Sequence, residues 1–437
     1  MNRRGFYGLI VLIFLVGCGQ ETASSKKIPV VNDEYVVFAW NDLGMHCLNP
    51  TYDTAVILPP YNDIWAQVIK RGEYPQIITT GLQVSYRLIG NTYSYGKTDN
   101  LGGRFSQFWD NISIFGLSTL EHDKGLNLRD PDQHNGLSGD MLAKDGFFVA
   151  DGVPVVPVSD AGVWNPYQVA EITVKNAADG NTIIKTRAMV PTSDEINCSK
   201  CHDSSAFDNI LEEHEEVGGQ SLQSRKPVLC ASCHGTPALG ITGKGSSGKY
   251  LSEAIHGYHA SKNAVCYDCH PGTQTKCSRS LAHTADDGNC TACHGNMANV
   301  ASTIEGGRTP WVSEPACTKC HSTNIAQVNT GSTLYRNAEG HGNLYCAVCH
   351  GSPHAMIPTN QASDNYQAMQ YQNSKKTIGS CAVCHKTSKG EGSAEFGEAH
   401  GGSSPENYNA CHICHTAVPS NNTAGWPHAF QWTARAK

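Results

Sequence analysis

The stretch HGNLYCAVCHGSPH, from His341 to His354, decides how the second half of this chain can fold. It holds two cysteines separated by two residues, a histidine directly after the second cysteine, and a further histidine at each end. The motif Cys-x-x-Cys-His occurs eight times in the 437 residues, and every copy lies after residue 197. A loose repeat of this kind predicts one small structural unit that is built several times over.

Sixteen of the 19 cysteines belong to these motifs, which we number 1 to 8 in chain order. Their cysteines are Cys198 and Cys201, Cys230 and Cys233, Cys266 and Cys269, Cys290 and Cys293, Cys317 and Cys320, Cys346 and Cys349, Cys381 and Cys384, and Cys411 and Cys414. The histidines that end motifs 1 to 8 are His202, His234, His270, His294, His321, His350, His385 and His415.

The histidine that ends each motif distinguishes zinc binding, a redox disulfide and haem attachment, the three uses of such cysteine pairs. Zinc needs four ligands, and sites built from four cysteines would leave these histidines without a task. A thioredoxin-type disulfide needs one copy in a βαβ unit, not eight. In c-type haem attachment, the two thiols bond to one porphyrin and the histidine binds its iron. The motifs therefore predict eight covalently bound haem c groups, with these eight histidines as proximal ligands.

A six-coordinate haem needs a second axial ligand, and 12 histidines remain for that position. Methionine is scarce near the motifs, where only Met297, Met356 and Met369 occur. Iron held by two imidazoles has no open position, which favours electron transfer over catalysis. We expect the distal ligands to be His214, His256, His259, His283, His341, His354, His400 and His428, with His412 in reserve and His46 as an alternative.

The motifs, over roughly residues 198–415, resemble those of the multihaem c-type cytochromes of respiratory, often metal-reducing, bacteria. The resemblance implies an octahaem cytochrome c domain over residues 191–437, rich in loops and short helices and with little regular secondary structure. Thr192 and Glu195 have the spacing of a capping box, which predicts a helix that carries motif 1.

The first residues of the chain predict export. Arg3 and Arg4 precede the mostly apolar run Gly5–Gly17, which is typical of a signal peptide over residues 1–17 and too short for a membrane-spanning helix. The run ends in LVGC, which resembles the lipobox of bacterial lipoproteins and implies that Cys18 is lipidated. Residues 18–29 are then a lipidated polar tether. Because Gly19 follows Cys18, we expect the outer membrane, at the cell surface or the periplasmic face.

Residues 30–190 contain no haem motif and predict a β-rich, sandwich-like domain. Apolar runs at Glu34–Trp40, Gly81–Gly90 and Gly146–Val158 are typical of strands. The runs Ala170–Lys175 and Asn181–Val190 flank the turn residues NAADG, which indicates a hairpin.

Cys47 and Cys277 are the two cysteines that neither a motif nor the lipobox accounts for. In an oxidising compartment, a disulfide between them would join the two halves of the chain. The alternative is two separate thiols.

The leading hypothesis is an outer-membrane lipoprotein that relays electrons through closely packed bis-histidine haems to or from the cell exterior. It would be an electron carrier rather than an enzyme, unless it reduces metals as the terminal step. Expected partners are other multihaem cytochromes, outer-membrane porin–cytochrome conduits, insoluble metal acceptors and, through the lipid anchor, the membrane. The formal charge of −7 offers no basic field for nucleic acid.

Two other hypotheses stay open. An octahaem reductase of a nitrogen or sulfur oxyanion would keep one haem iron open to its substrate. The subunit of a polymeric cytochrome filament would have to leave its lipid anchor to assemble.

Overall fold

The computed structural model describes residues 32–391, except residues 73, 100–101, 129, 197, 272–273, 284–289, 322–332 and 388–389. The predicted signal peptide, Cys18 and the tether lie outside the described residues, as does motif 8. So do three candidate ligands, His400, His412 and His428. Across the part of the chain that is described, no helix has the length and apolar character needed to cross a membrane.

The first sheet of the N-terminal half has five antiparallel strands. These are β1 (Tyr35–Trp40), β4 (Ile64–Lys70), β5 (Gln76–Ile77), β8 (Leu142–Lys144) and β9 (Phe147–Ala150). Their order is β1-β4-β9-β8, and β5 also pairs with β4. Within the predicted run Gly146–Val158, only Phe147–Ala150 forms a strand. Pro154 and Pro157, in the rest of the run, have no backbone N–H to donate to a neighbouring strand.

The second sheet has four antiparallel strands in the order β11-β10-β6-β7. These are β6 (Leu82–Leu88), β7 (Ser138–Asp140), β10 (Val169–Asn176) and β11 (Thr182–Met189). Strands β10 and β11 pair directly across the turn, so the predicted hairpin is confirmed. Along β10, buried residues alternate with partly exposed ones, as expected for a sheet with one covered face.

The two sheets share one buried apolar cluster. Val37 of β1 and Ile64 of β4 lie in the same cluster as Val84 of β6, Ile172 of β10 and Ile184 of β11. This cluster forms the core of the N-terminal half, because each sheet contributes one face to it.

Strands β1 and β4 are buried on both faces, which explains their unbroken apolar sequences. While Val37 points into the shared cluster, its neighbours Val36 and Phe38 pack with Tyr345 and Val348. These two partners belong to the part of the chain that carries motif 6. The first sheet is therefore covered on one side by the second sheet and on the other by the motif region.

Two short parallel pairs also join the halves. Strand β2 (His46–Cys47) pairs with β12 (Thr192–Ser193), and β3 (Ala55–Val56) pairs with β13 (Val228–Leu229). The helix predicted to begin at Thr192 is wrong, because Thr192 belongs to β12 instead.

After β12 the chain consists mainly of loops and short helices, so the predicted change from a β-rich part to a loop-rich part is confirmed. The helices, with α1 in the N-terminal half, are α1 (Ser106–Asp110), α2 (Ala206–Gly218), α3 (Leu251–His259), α4 (Cys266–Cys269), α5 (Cys290–His294), α6 (Met297–Glu305), α7 (Cys346–His350) and α8 (Tyr366–Gln372). One further two-stranded ladder pairs β14 (Lys386–Thr387) with β15 (Gly390–Glu391).

Candidate haem-binding site

Each described motif forms a single helical turn. Motifs 3, 4 and 6 lie on α4, α5 and α7, and motifs 1, 2, 5 and 7 begin 3₁₀ turns. The backbone N–H of His270 donates to the carbonyl of Cys266 at 2.8 Å, and that of His321 donates to Cys317 at 2.9 Å. This bond closes the turn. Because side chains three and four residues apart lie on one face, both thiols and the imidazole can meet one ligand.

Six motif histidines each lie opposite a second histidine. The ring centroids are 6.1 to 6.4 Å apart in the pairs His202–His259, His234–His214, His270–His256, His294–His354, His321–His283 and His385–His341. In every pair, one ring belongs to a motif and the other to a predicted distal ligand.

The separation of these rings fits an iron held between them. An imidazole nitrogen binds a transition metal at about 2 Å and lies about 1 Å from its ring centroid, so two opposed ligands place their centroids about 6 Å apart. Ordinary aromatic pairs spread over about 4.5–7 Å. The six separations are nearly constant although the interplanar angle varies from 20° to 82°. A shared iron would fix this distance while each ring remained free to rotate about its own bond to the metal.

Hydrogen bonds at the second ring nitrogen fix how several of these imidazoles point. Nδ1 of His256 donates to the carbonyl of Ser252 at 2.7 Å, and Nδ1 of His259 donates to Ile255 at 2.8 Å. A ring that donates from Nδ1 keeps its lone pair on Nε2, where a metal can bind. Helix α3 therefore presents two oriented ligands, of which His256 faces motif 3 and His259 faces motif 1.

A backbone carbonyl of the N-terminal half orients the imidazole of His354. Its Nδ1 donates to the carbonyl of Leu43 at 2.9 Å, and its backbone N–H donates to the same oxygen at 3.2 Å. Gly44 lies against the backbone here, because a Cβ at this position would come within 3.2 Å of the His354 nitrogen. The loop after β1 thus holds a candidate ligand of motif 4.

Burial favours the neutral, metal-binding form of six of the paired imidazoles. Burial lowers the pKa of His270 to about 4, and the nearby His256 and His354 add to this effect. Burial likewise lowers the pKa of His294 to about 4, with His354 as the next cause. The pKa values of His234, His256, His283 and His354 are also lowered, in each case chiefly by burial. Neutral imidazole is the metal-binding form.

Motifs 1, 2 and 3 are neighbours in space. Burial raises the pKa of the Cys230 thiol to about 11, and Cys198 of motif 1 contributes to the rise. Burial also raises the pKa of Cys198 to about 11, with Cys269 of motif 3 as the next cause. Lys200 and Asp268 form an ion pair between motifs 1 and 3. Motif 1 therefore lies between motifs 2 and 3.

The later motifs follow in chain order. His270 is one of the neighbours that lower the pKa of His294, which places motif 3 beside motif 4. Burial and then Glu314 raise the pKa of Cys317 in motif 5, and Cys293 of motif 4 also contributes. The Cys346 pKa is raised to about 11 by burial and further by Cys317, which places motif 6 beside motif 5. Motifs 6 and 7 share an apolar cluster that includes Cys349 and Cys384.

Some predicted residues have other surroundings. Nε2 of His46 donates to the buried carboxylate of Asp42 at 2.9 Å, and the His46 ring lies beside Tyr61 instead of one of the described motif histidines. The remaining candidates for the distal positions of His350 and His415 are His400, His412 and His428, which lie outside the described residues.

Comparison with known protein families, curated proteins and solved structures finds no match. Within residues 32–391, apart from the gaps given above, no group of three or more His, Cys, Asp or Glu side chains is arranged to hold a bare metal ion. The donors instead recur as two thiols and two opposed imidazoles. This donor set fits haem c, which takes two thioether bonds and two axial ligands.

Proposed function

We propose that this chain holds one haem c at each of its eight motifs and serves as an electron-transfer cytochrome. The observation that carries the proposal is the set of six imidazole pairs with ring centroids 6.1 to 6.4 Å apart. When bound, haem c exchanges single electrons at its iron, and an imidazole on each side leaves no open position. The chain's own residues set the place, orientation and surroundings of each group.

The arrangement of the motifs supports a single-file relay. Their neighbours in space give the order 2-1-3-4-5-6-7, which departs from chain order only at the exchange of motifs 1 and 2. The candidate distal ligands agree with parts of this order, since α3 faces motifs 1 and 3 and His341, close to motif 6, faces motif 7. His354 also links the stretch after motif 6 to motif 4. Each such segment fixes the spacing of two groups at once.

The N-terminal half acts in this proposal as a scaffold for the haem ligands. The buried Gln67 side chain of β4 accepts from the backbone N–H of Tyr345 at 3.0 Å, directly before motif 6. Arg71 Nη2 donates to the carbonyl of Ala382 in motif 7 at 2.8 Å. Together with the hydrogen bond from His354 to Leu43, these contacts connect motifs 4, 6 and 7 to the first sheet and the loops that follow its strands.

The predicted signal peptide and the resemblance to a lipobox support an outer-membrane lipoprotein as the location of the proposed cytochrome. There it would exchange electrons with other multihaem cytochromes, porin–cytochrome conduits or an insoluble metal acceptor. This location and these partners rest on the resemblance to multihaem cytochromes of metal-reducing bacteria.

The proposal is tested by counting haems and open irons in the purified mature protein. Intact mass combined with a pyridine haemochrome assay is expected to give eight covalent haems, and the oxidised protein should be low spin. Fewer than eight covalent porphyrins in a fully loaded sample, or mostly high-spin iron, would overturn it. Binding of carbon monoxide by one reduced haem of the native protein would favour the octahaem reductase instead.

A further inference from the structure

The two cysteines outside the motifs meet where the halves of the chain join. Cys47 ends β2 and lies in register with Ser193 of β12. The hydroxyl of Ser193 donates to the hydroxyl of Thr275 at 3.3 Å, and Cys277 follows two residues later. Both cysteine side chains are partly buried.

The segment around Cys277 is held on both sides of that residue, by residues in and after β12 on one side and by the loop after β1 on the other. Before it, the Glu195 carboxylate accepts from the backbone N–H groups of Gln274 at 2.9 Å and Thr275 at 2.8 Å. After it, Arg279 Nη1 donates to the carbonyl of Gly44 at 2.7 Å. Contacts with Ser193 at one end and Gly44 at the other leave Cys277 beside Cys47.

The thiols also affect each other. Burial raises the pKa of the Cys47 thiol, and the neighbouring Cys277 is the next cause of the rise. Since burial disfavours the thiolate, Cys47 is poorly suited to reacting with outside thiols once the chain has folded. The pair suits a structural bond that forms during folding.

We propose that Cys47 and Cys277 form a structural disulfide in the exported protein. The proposal rests on the export that we infer from the first residues, because disulfides persist in oxidising compartments. One thiolate attacks the disulfide bond of an oxidant and forms a mixed disulfide with it. The second thiolate then attacks the cysteine sulfur of this mixed disulfide, and the oxidant leaves as a dithiol. The new S–S bond forms as the S–S bond of the oxidant breaks, and the two thiol protons pass to the reduced oxidant.

The disulfide would restrain candidate haem ligands as well as join the two halves of the chain. The backbone N–H of Arg279 donates to the carbonyl of His354 at 2.8 Å, and its guanidinium forms a buried ion pair with Asp364. The same segment connects His270 of motif 3 to His283, the ring opposite motif 5. A disulfide at Cys277 therefore restrains the stretch that links three neighbouring motifs.

Peptide mapping of the holoprotein without reductant tests the bond directly. Trypsin releases Cys277–Arg279 and a peptide from Ile28 to Lys70 that holds Cys47, and neither carries a haem motif. We expect the two peptides to be detected as one disulfide-linked mass, which reduction divides into the two separate peptides. Recovery of both peptides singly, each alkylated by a thiol reagent added before any reductant, would overturn the proposal and leave the haem count untouched.

Thermal unfolding provides an independent measurement. A bond makes Cys47→Ser, Cys277→Ser and the double variant lose the same amount of stability, because removal of either sulfur breaks it. Haem content should stay at the native value in all three. If the stability losses of the two single variants add up in the double variant, the two cysteines are separate thiols, and the proposed disulfide is contradicted.

Discussion

Replacing His354 by leucine removes one imidazole from the pair that it forms with His294. The iron of motif 4 would then keep a single axial imidazole, while the other haems keep two. We expect about one eighth of the haem iron to change from low spin to high spin and to bind carbon monoxide after reduction.

The substitution should leave the fold intact. Nδ1 of His354 donates to the Leu43 carbonyl, and that oxygen also accepts from the His354 backbone N–H, which the variant retains. The loss therefore leaves no buried acceptor without a donor. A single hydrogen bond of this kind contributes about 1 kcal/mol to the free energy of unfolding. Leucine has a volume close to that of histidine.

His134→Leu is the matched control. Nδ1 of His134 donates to the carbonyl of Gly125 at 2.9 Å, the same kind of bond at a position far from the six pairs. We expect a similar small loss of stability without new high-spin iron or carbon monoxide binding. His354→Met adds a second comparison, because a thioether restores the sixth ligand and raises the reduction potential of one haem.

The decisive measurements are the electron paramagnetic resonance spectrum of the oxidised protein and the carbon monoxide difference spectrum of the reduced one. Equal haem content in all variants must be verified first. A His354→Leu protein that carries eight haems and binds no more carbon monoxide than the native protein would refute the assignment of His354 as a ligand.

Three further predictions concern stability and assembly. Burial raises the pKa of Asp194 to about 6 against 3.8 in the unfolded chain, despite the hydrogen bond from Trp164, so stability should rise as pH falls from about 6 to about 4. Asp194→Asn should remove this slope and add about 3 kcal/mol at pH 7, measured by denaturant unfolding across pH; an unchanged slope would exclude Asp194 as its source. Gly235→Ala should disturb motif 2, because its Cβ would lie 1.6 Å from the Gly243 carbonyl oxygen, whereas Gly72→Ala meets nothing closer than 3.7 Å. We expect an unfolding loss of about 1–3 kcal/mol and a changed haem spectrum for Gly235→Ala alone. Deletion of residues 30–190 should yield no soluble, fully loaded haem fragment by haemochrome assay and gel filtration, since it strips the sheet that covers motifs 6 and 7; a monodisperse octahaem fragment would contradict this.

Local patterns in the sequence predicted those parts of the fold that local interactions determine. The turn residues NAADG place β10 and β11 correctly because a hairpin is set by its own turn. The helix expected at Thr192 failed because its backbone pairs with His46, far away in the chain. A capping-box spacing carries no information about such a partner, and two-residue parallel strands leave no periodic pattern to detect.

The candidate haem-binding site likewise combines features that the local sequence predicts with features that depend on distant contacts. The motifs and the supply of histidines are visible in the sequence, and six of the eight proposed distal histidines lie opposite a motif histidine. The pairing itself could not be predicted. His214 faces the next motif along the chain, whereas His341 skips motif 6 to face motif 7 and His354 turns back to motif 4. These choices depend on how the segments pack against the first sheet, which no local signal encodes.

The two halves are better understood as one folding unit than as a haem module attached to a separate domain. The motif region has few apolar runs of its own, and its clearest one precedes and crosses motif 6, at Tyr345, Ala347 and Val348. These side chains pack on β1, whose opposite face lies in the core between the sheets. A strand buried on both faces transmits any shift of one layer to the other, because close-packed interiors deform little. In the proposed cytochrome, the N-terminal half would hold the segments that carry motifs 6 and 7 and the candidate ligand His354 of motif 4 at fixed spacing. An electron relay with short, constant separations between its centres would need that rigidity.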